Sequence, residues 1–118
     1  IGNEITTPQG TLTSSVQPFN GEIIRDKNFA TIDAAKVKQP LTLRHRQQGD
    51  RFTPFGMRGS KLLSDYMTDR KMSIIEKEQQ LVVTDATGRI VWVVGERLAA
   101  QCATDNDTKE VIILQWNI

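Results

Sequence analysis

The sequence predicts an α+β domain in which a short helical pair lies between two strand-rich halves. Three observations support this class: short β-branched segments at the start, two runs with helical spacing in the middle, and apolar strands at the end. This order differs from the alternating pattern of a parallel βαβ fold. The length of 118 residues fits a single domain spanning residues 1–118, because domains usually have about 100–150 residues.

Residues 1–40 are predicted to be a strand-rich lead-in. Phe19–Gly21 supplies turn chemistry, and Pro40 interrupts the chain before a segment in which apolar and polar residues alternate. The strand candidates are Leu12–Val16, Glu22–Ile24, Phe29–Ile32 and Leu41–Arg44.

The middle of the chain is predicted to be a loop followed by two helices. Three glycines and Pro54 make residues 48–59 an irregular loop, and Ser60 is placed to cap the helix after it. A second helix is predicted over Ile74–Gln79, with Ser73 as its cap. The apolar face of the first helix contains Leu62, Leu63, Tyr66 and Met67.

The last third is predicted to return to strands. Leu81–Thr84 and Ile90–Val94 flank Asp85–Gly88, which has the sequence of a hairpin turn with a left-handed glycine. Asp105–Asp107 forms another turn, and Val111–Trp116 is the final strand. Trp92 and Trp116 lie in these strands and are expected in the core.

Composition excludes several classes of protein. Cys102 is the single cysteine, so an internal disulfide and a Cys-rich zinc site are excluded. The longest apolar run, Ile90–Val94, is too short to span a membrane, and the sequence given shows no secretory leader. Because the sequence starts at Ile1 without methionine, we expect a piece of a longer protein. The single cysteine and the lack of a leader lead us to expect a cytoplasmic location.

Positive charge is concentrated in the centre of the chain. Residues 44–71 carry a net charge of +4, whereas the whole chain carries +1. Clustered arginine and lysine attract phosphates, although charge alone fits an ordinary solvated surface equally well. Within this segment, a glycine-rich loop leads into a predicted helix start, which favours phosphate binding. The alternative is that Asp50 and Arg51 lock the loop by capping and pairing.

Catalytic and metal sites are not indicated. His45 is the single histidine and has no second ligand nearby in sequence, so metal ligation or acid–base catalysis is not expected. Aromatic residues make up only 6% of the chain, and no paired aromatic strands of an RRM are present, so base stacking is not indicated. Gly56–Gly59 matches the GXXG loop of KH domains, which clamps a nucleic-acid backbone between two helices.

A longer pattern of residues resembles a known family. The pattern is Gly-Asp-Arg-Phe-x-Pro-x-Gly-Met-x-Gly-x-Lys in residues 49–61, then Leu63–Tyr66, Asp69–Lys71 and Gly88–Arg97. It is similar to the C-terminal domain of tRNA(Ile)-lysidine synthetase, and the resemblance covers residues 41–111. A related three-layer α+β fold containing a β-sandwich occurs in the β subunit of phenylalanyl-tRNA synthetase, so the resemblance implies that architecture here.

The resemblance also implies a function. The family's enzyme uses ATP to activate the wobble cytidine of an isoleucine tRNA, and lysine attacks to form lysidine. That chemistry belongs to an N-terminal domain with a Ser-Gly-Gly-x-Asp-Ser loop, which is absent from this sequence. The fragment is therefore expected to be non-catalytic and to hold no cofactor or metal, with ATP and lysine binding to the N-terminal catalytic domain. Its own implied role is to bind the tRNA body, especially the acceptor stem.

The family pattern implies two groups of site residues. The implied tRNA-binding residues are Arg44, Arg46, Arg51, Arg58, Lys61, Arg70 and Lys71. The implied loop-shaping residues are Gly49, Asp50, Pro54, Gly56 and Gly59. Among them, Arg58 and Lys61 are expected to point outward, so that replacing both by alanine weakens tRNA binding without changing thermal stability. The alternatives are a protein–protein or homodimerisation module, a KH-like RNA-binding domain, and a small independent enzyme using Asp65 and His45.

Overall fold

The computed structural model describes residues 2–118 and has an α+β fold with two α-helices in that range. Its strands are β1 (Gly2–Thr7), β2 (Gly10–Pro18), β3 (Phe29–Asp33), β4 (Thr42–His45), β5 (Arg51–Phe52), β6 (Lys61–Leu62), β7 (Leu81–Thr84), β8 (Ile90–Val93) and β9 (Glu110–Asn117). The helices are α1 (Leu63–Asp69) and α2 (Ile74–Gln79), with 3₁₀ turns at Ala34–Lys36 and Ala100–Cys102. All strand pairings are antiparallel: one sheet has the order β1-β2-β9-β3, another has the order β4-β7-β8, and β5 pairs with β6.

The hydrophobic core is formed by buried residues of the two larger sheets together with those of α1, so the predicted α+β class is confirmed. Alternate residues of the first sheet face the core: Leu12 pairs with Trp116 across the strands, and Ile32 pairs with Ile112. Trp92 of the second sheet is 1% exposed and Trp116 is 9% exposed, which confirms both as core residues. Complete burial of a side chain such as Ile32 stabilises the fold by roughly 1.5–3 kcal/mol.

Helix α1 is held by its apolar face rather than by a cap. Leu63, Tyr66 and Met67 are buried, as their spacing predicted, whereas Leu62 lies in β6 and is only partly buried. The ring of Tyr66 meets that of Phe52 edge-on, with centroids 5.3 Å apart, an arrangement that aromatic pairs favour. This contact joins α1 to strand β5.

Helix α2 is held mainly by its capping box. The Ser73 side chain accepts from the Glu76 backbone N–H at 3.1 Å, and the Glu76 carboxylate accepts from the Ser73 N–H at 2.8 Å. The predicted cap is therefore confirmed. None of the residues of α2 is buried, and Ile74 is 74% exposed.

The β7–β8 hairpin turns around a buried carboxylate. Asp85 accepts hydrogen bonds from the Thr87 hydroxyl at 2.6 Å and from the Lys38 N–H at 3.3 Å. Burial alone would raise the pKa of Asp85, but these hydrogen bonds lower it below its ordinary value. Gly88 has a φ of 88°, so the predicted left-handed glycine is confirmed.

Three local predictions were wrong. Glu22–Ile24 is an irregular, exposed segment, and strand β1, whose polar sequence gave no signal, pairs with β2 instead. Ser60 does not cap α1, because β6 lies between them and Leu62 is the N-cap residue without a side-chain bond. The predicted irregular loop also contains β5, which is fixed by its pairing with β6.

Candidate nucleic-acid interface

The central feature of the basic segment is a long loop between β5 and β6. We call residues 53–60 the hairpin loop. Its base is fixed to the protein, since the Ala100 N–H donates to the Thr53 carbonyl at 2.7 Å and the Phe55 N–H donates to the Leu98 carbonyl at 2.8 Å. The segment from Phe55 to Ser60 is exposed throughout. The protein therefore presents a loop whose base is anchored and whose tip is accessible.

The tip of the hairpin loop depends on two glycines. Gly56 has a φ of 87° and Gly59 a φ of 77°, in the left-handed region that other residues disfavour. A Cβ at either position would meet nothing within 4 Å, so backbone conformation rather than space requires glycine. The loop joins two strands instead of two helices, which excludes the KH arrangement of Gly56–Gly59.

Asp50 locks the turn that precedes β5. Its two carboxylate oxygens accept from the two terminal nitrogens of Arg44, each at 3.0 Å, and one of them also accepts from the Gln47 N–H at 2.7 Å. Partial burial would raise the pKa of Asp50, but the bonds from Arg44 and Gln47 hold it below its ordinary value. We call this bidentate contact the Arg44–Asp50 pair, and it agrees with the structural role expected for Asp50.

Arg51 is not the partner of Asp50, so the alternative in which these two residues pair is wrong. Its Nε donates to the Ser60 hydroxyl at 3.0 Å, across the strand pair β5–β6. Asp50 lies just before β5, and its partner Arg44 comes from β4, a strand of a different sheet. Arg51 thus closes the neck of the hairpin loop while its side chain remains at the surface.

Three of the seven predicted cations are neutralised by carboxylates. Arg44 is bound by Asp50, Lys61 forms an ion pair with Asp69, and Arg70 contacts Glu96 at 2.8 Å. Lys61 is also only 26% exposed, so the expectation that it points freely outward is wrong. A neutralised cation contributes less to binding an external anion than an unpaired one, because its own carboxylate competes.

Arg70 belongs to a small network at the end of α1. Its partner Glu96 also accepts from the Tyr66 hydroxyl at 3.0 Å. Burial, with the negative charge of Glu96 next to it, raises the pKa of Tyr66 to about 12. The phenol is therefore a permanent donor at neutral pH, and the network fixes α1 against the turn after β8.

The other four predicted cations have no carboxylate partner among residues 2–118. Arg46 is anchored through Nε, which donates to the Lys77 carbonyl at 2.7 Å, and Arg51 is held by Ser60. Arg58 and Lys71 are exposed and make no side-chain hydrogen bond within the described part of the chain. Arg58 lies at the tip of the hairpin loop, in its exposed segment.

The structure adds Arg97 to the basic surface, a residue that is not among the seven cations implied by the family pattern. Its Nη1 donates to the Phe55 carbonyl at 3.1 Å, so it lies against the hairpin loop although it is distant in sequence. Its carboxylate neighbour Glu96 is directed to Arg70 and Tyr66. The sequence feature that could have identified Arg97 is its place at the end of the Gly88–Arg97 part of the family pattern, just beyond the turn at Gly95.

The alternative enzymatic reading gains no support from geometry. His45 contacts Gln9, with 2.7 Å between Nε2 and Oε1, whereas Asp65 lies exposed on α1. Cys102 is buried, and burial raises the pKa of its thiol to about 11. Residues 2–118 contain no cluster of three potential metal ligands, and none of the helices in this range is long and apolar enough to cross a membrane.

Together, the fold and the loop define a class: an antiparallel α+β domain that presents a cationic hairpin loop, a surface suited to phosphate groups. Comparison with known proteins is more specific. The family model described as the TilS substrate C-terminal domain matches residues 41–116. The chain belongs to this family, which confirms the resemblance found in the sequence.

Curated relatives agree with this assignment. A tRNA(Ile)-lysidine synthase of Bacteroides thetaiotaomicron is 47% identical over 91 residues, covering 77% of this chain and 21% of the relative. The enzyme of the same name from Parabacteroides distasonis is 46% identical over 94 residues, covering 80% of this chain and 21% of the relative. The chain therefore spans about a fifth of the length of these relatives.

Solved structures support the fold. A crystal structure of a TilS C-terminal domain superposes with a TM-score of 0.84 at 28% identity, covering 98% of this chain and 89% of that chain. An N-terminal fragment of the phenylalanyl-tRNA synthetase β-subunit from Pyrococcus horikoshii superposes with a TM-score of 0.67 at 19% identity. It covers 75% of this chain and 28% of that chain, and this likeness concerns the fold alone.

Proposed function

We propose that this chain is the tRNA-binding C-terminal domain of a tRNA(Ile)-lysidine synthase. The observation that carries the proposal is the hairpin loop of a chain of this family: its anchored base presents an exposed Arg58, and Arg97 is bonded to the Phe55 carbonyl of the same loop. Residues 1–118 would form one domain that holds the tRNA body, especially the acceptor stem. The longer enzyme, a cytoplasmic ligase, would attach lysine to the wobble cytidine with ATP through an N-terminal catalytic domain that is not in this sequence.

Contact with the RNA is expected to be mainly through its backbone. The deep, narrow major groove of A-form RNA hides base edges from side chains, so phosphates and shape dominate recognition of a stem. Arginine suits this role because its planar group can donate to two phosphate oxygens at once. Arg58 and Lys71 are the primary contacts in this proposal, and Arg46, Arg51 and Arg97 are contacts whose side chains are already oriented by the protein.

The test is an anisotropy titration of this chain with an isoleucine tRNA that has a wobble cytidine, and with an unrelated tRNA, at two salt concentrations. Each neutralised phosphate should contribute roughly −0.7 to −0.9 to the slope of log affinity against log salt. We expect binding with a slope of several units, and a preference for the isoleucine tRNA would show discrimination by this domain. Absence of binding at low salt would contradict the proposal for the isolated chain.

A further inference from the structure

Three cations come together where α1 turns into α2, at the opposite end of α1 from the hairpin loop. Thr68 links two of them, because its hydroxyl accepts from the Lys77 ammonium at 2.9 Å and its carbonyl accepts from the Lys71 N–H at 2.9 Å. The third is Arg46, whose Nε donates to the Lys77 carbonyl at 2.7 Å. We call Arg46, Thr68, Lys71 and Lys77 the corner cluster. Lys77 is not among the seven cations implied by the family pattern.

The ammonium of Lys77 is oriented by a neutral group. The Thr68 hydroxyl donates its own proton to the Ser64 carbonyl at 3.0 Å, so its oxygen is the acceptor for Lys77. Lys77 forms no ion pair among residues 2–118. An ammonium has three protons to donate, so Lys77 keeps its positive charge and two further protons for an external acceptor.

Arg46 is anchored beside Lys77. Its backbone N–H donates to the Gln80 carbonyl at 2.9 Å, and its Nε is bonded within the last turn of α2. Its two terminal nitrogens form no hydrogen bond or ion pair within the described residues. These nitrogens form the planar fork that can donate to two phosphate oxygens at once. An anchored arginine also loses less conformational freedom on binding than a free one.

Lys71 supplies a second, independent observation, which is backbone strain. It has a φ of 57° and is the one residue other than glycine with a positive φ among residues 2–118. It ends α1 in a Schellman arrangement, because the Met72 N–H donates to the Met67 carbonyl at 3.1 Å, and glycine is usual at this position. Lysine is less stable there than glycine, so a strained lysine points to a use for its side chain. Lys71 is exposed and has no ion pair within the described residues.

The carboxylates of α1 and α2 do not neutralise these cations. Asp69 forms an ion pair with a lysine outside the corner cluster, and the Glu76 carboxylate is held by the capping box. Asp65 and Glu78 are exposed and form no ion pair within residues 2–118. Three unpaired cations therefore outnumber two unpaired carboxylates, and the cations are the groups that hydrogen bonds bring together. This balance favours an anionic ligand.

We propose that the corner cluster is a second phosphate-binding site, in which Lys77, Arg46 and Lys71 contact the RNA backbone and Thr68 positions Lys77. The proposal rests on the RNA-binding function proposed above and adds Lys77 and a separate point of contact to it. Because α1 has seven residues, its ends are about 10 Å apart. The corner cluster and Arg58 would therefore contact different phosphates of one RNA.

The first test is the salt dependence of affinity for an isoleucine tRNA with a wobble cytidine, measured for the wild type and Lys77→Met. This change removes the charge and keeps a long side chain. It should weaken binding about fivefold at low salt and reduce the magnitude of the slope of log affinity against log salt by about 0.7–0.9. Lys109→Met is the matched control, because it removes the same charge from an exposed lysine just before β9, outside the corner cluster. It should leave the slope unchanged.

The outcomes separate this proposal from the RNA-binding function. If Lys77→Met binds as the wild type does, or if both lysine variants reduce the slope equally, the corner cluster is not a phosphate site although the RNA-binding function stands. If the wild type binds no tRNA at low salt, the RNA-binding function of the isolated chain fails, and the corner cluster fails with it.

Thr68→Val tests the positioning of Lys77. The change keeps every charge and removes the acceptor of the Lys77 ammonium. Affinity should fall about twofold while the salt slope stays the same, because the number of charges is unchanged. An unchanged affinity would overturn the positioning role of Thr68.

Lys71→Gly tests whether the strained lysine is kept for binding. Glycine relieves the left-handed backbone, so the Tm should rise by about 3 °C while tRNA affinity falls about fivefold. Lys71→Arg keeps both the charge and the strain, so its Tm and affinity should stay close to those of the wild type. If Lys71→Gly binds tRNA as tightly as Lys71→Arg, Lys71 does not contact the RNA.

Discussion

The Arg44–Asp50 pair and the hairpin loop lie a few residues apart in sequence but use arginine in opposite ways. In the pair, the Arg44 side chain is 25% exposed and both of its terminal nitrogens are bound by one carboxylate. In the loop, Arg58 is exposed, and its side chain forms no hydrogen bond or ion pair within residues 2–118. A count of basic residues therefore overstates the charge that a partner can use.

This difference follows from backbone geometry. Arg44 lies on β4, where pairing with β7 fixes its direction toward the turn that Asp50 closes. Arg58 lies between two left-handed glycines, where the chain turns away from the protein. Arg44 therefore holds the turn before the hairpin loop in place, whereas Arg58 is available to bind a partner.

The largest effect is expected from Asp50→Ala. The change leaves Arg44 and the Gln47 N–H without their partner, and loss of charged, partly buried hydrogen bonds should lower the free energy of unfolding by about 2–3 kcal/mol. Urea denaturation measures this loss of free energy of unfolding. Glu78→Gln, on the exposed side of α2, is the control and should change stability by less than about 0.5 kcal/mol. A loss for Asp50→Ala no larger than the control would contradict a structural pair.

The pair should also be sensitive to acid. The pKa of Asp50 is lowered from an ordinary value of 3.8, so the unfolded state takes up the proton more readily than the folded state. The contribution of ionised Asp50 to the free energy of unfolding is complete above pH 3.8. It is lost as the pH falls through the lower pKa that Asp50 has in the folded state. The stability difference between the wild type and Asp50→Asn should therefore shrink below pH 3.8. A difference that is constant with pH would show that the charge of Asp50 is unimportant.

A smaller effect is expected at the loop tip. Gly59→Ala should lower the free energy of unfolding by about 1 kcal/mol, because alanine resists the left-handed backbone although space is available. Thermal denaturation checks this, with Met57→Ala as a control in the same loop. No change in Tm would mean that the tip is free to adopt another conformation.

The smallest stability effect is expected from Arg70→Ala. The Arg70 side chain is 54% exposed, and exposed ion pairs contribute only about 0.2–1 kcal/mol, so the loss should be about 0.5 kcal/mol. Glu96 keeps the Tyr66 hydroxyl as a partner. Urea denaturation measures the change, and a loss of several kcal/mol would show that Arg70 is an essential structural contact rather than a peripheral one.

Local patterns in the sequence predicted much of the fold. The buried residues Leu63, Tyr66 and Met67 of α1, the Ser73–Glu76 capping box and the Gly88 turn each depend on residues only a few positions apart in sequence. Each of these predictions is confirmed. Strand β1 was missed because its polar sequence is held by backbone pairing with β2. Two-residue strands such as β5 and β6 give no periodic signal at all.

The site was predicted less well, because ion pairing depends on contacts distant in sequence. Arg70 meets Glu96 only because α1 packs near the turn after β8. Lys61 meets Asp69 because a helix carries Asp69 back toward the strand before it. The sequence shows which residues are basic, but the fold decides which of them keep an unpaired charge, and it adds Arg97.

The most direct test is the salt dependence of tRNA affinity for the wild type, Arg58→Ala and Arg70→Ala. The unpaired Arg58 should contribute one phosphate contact, so its loss should reduce the slope by about 0.7–0.9, while loss of the neutralised Arg70 should leave the slope nearly unchanged. The opposite result, with the slope reduced by Arg70→Ala and not by Arg58→Ala, would contradict the assignment of the hairpin loop as the binding surface.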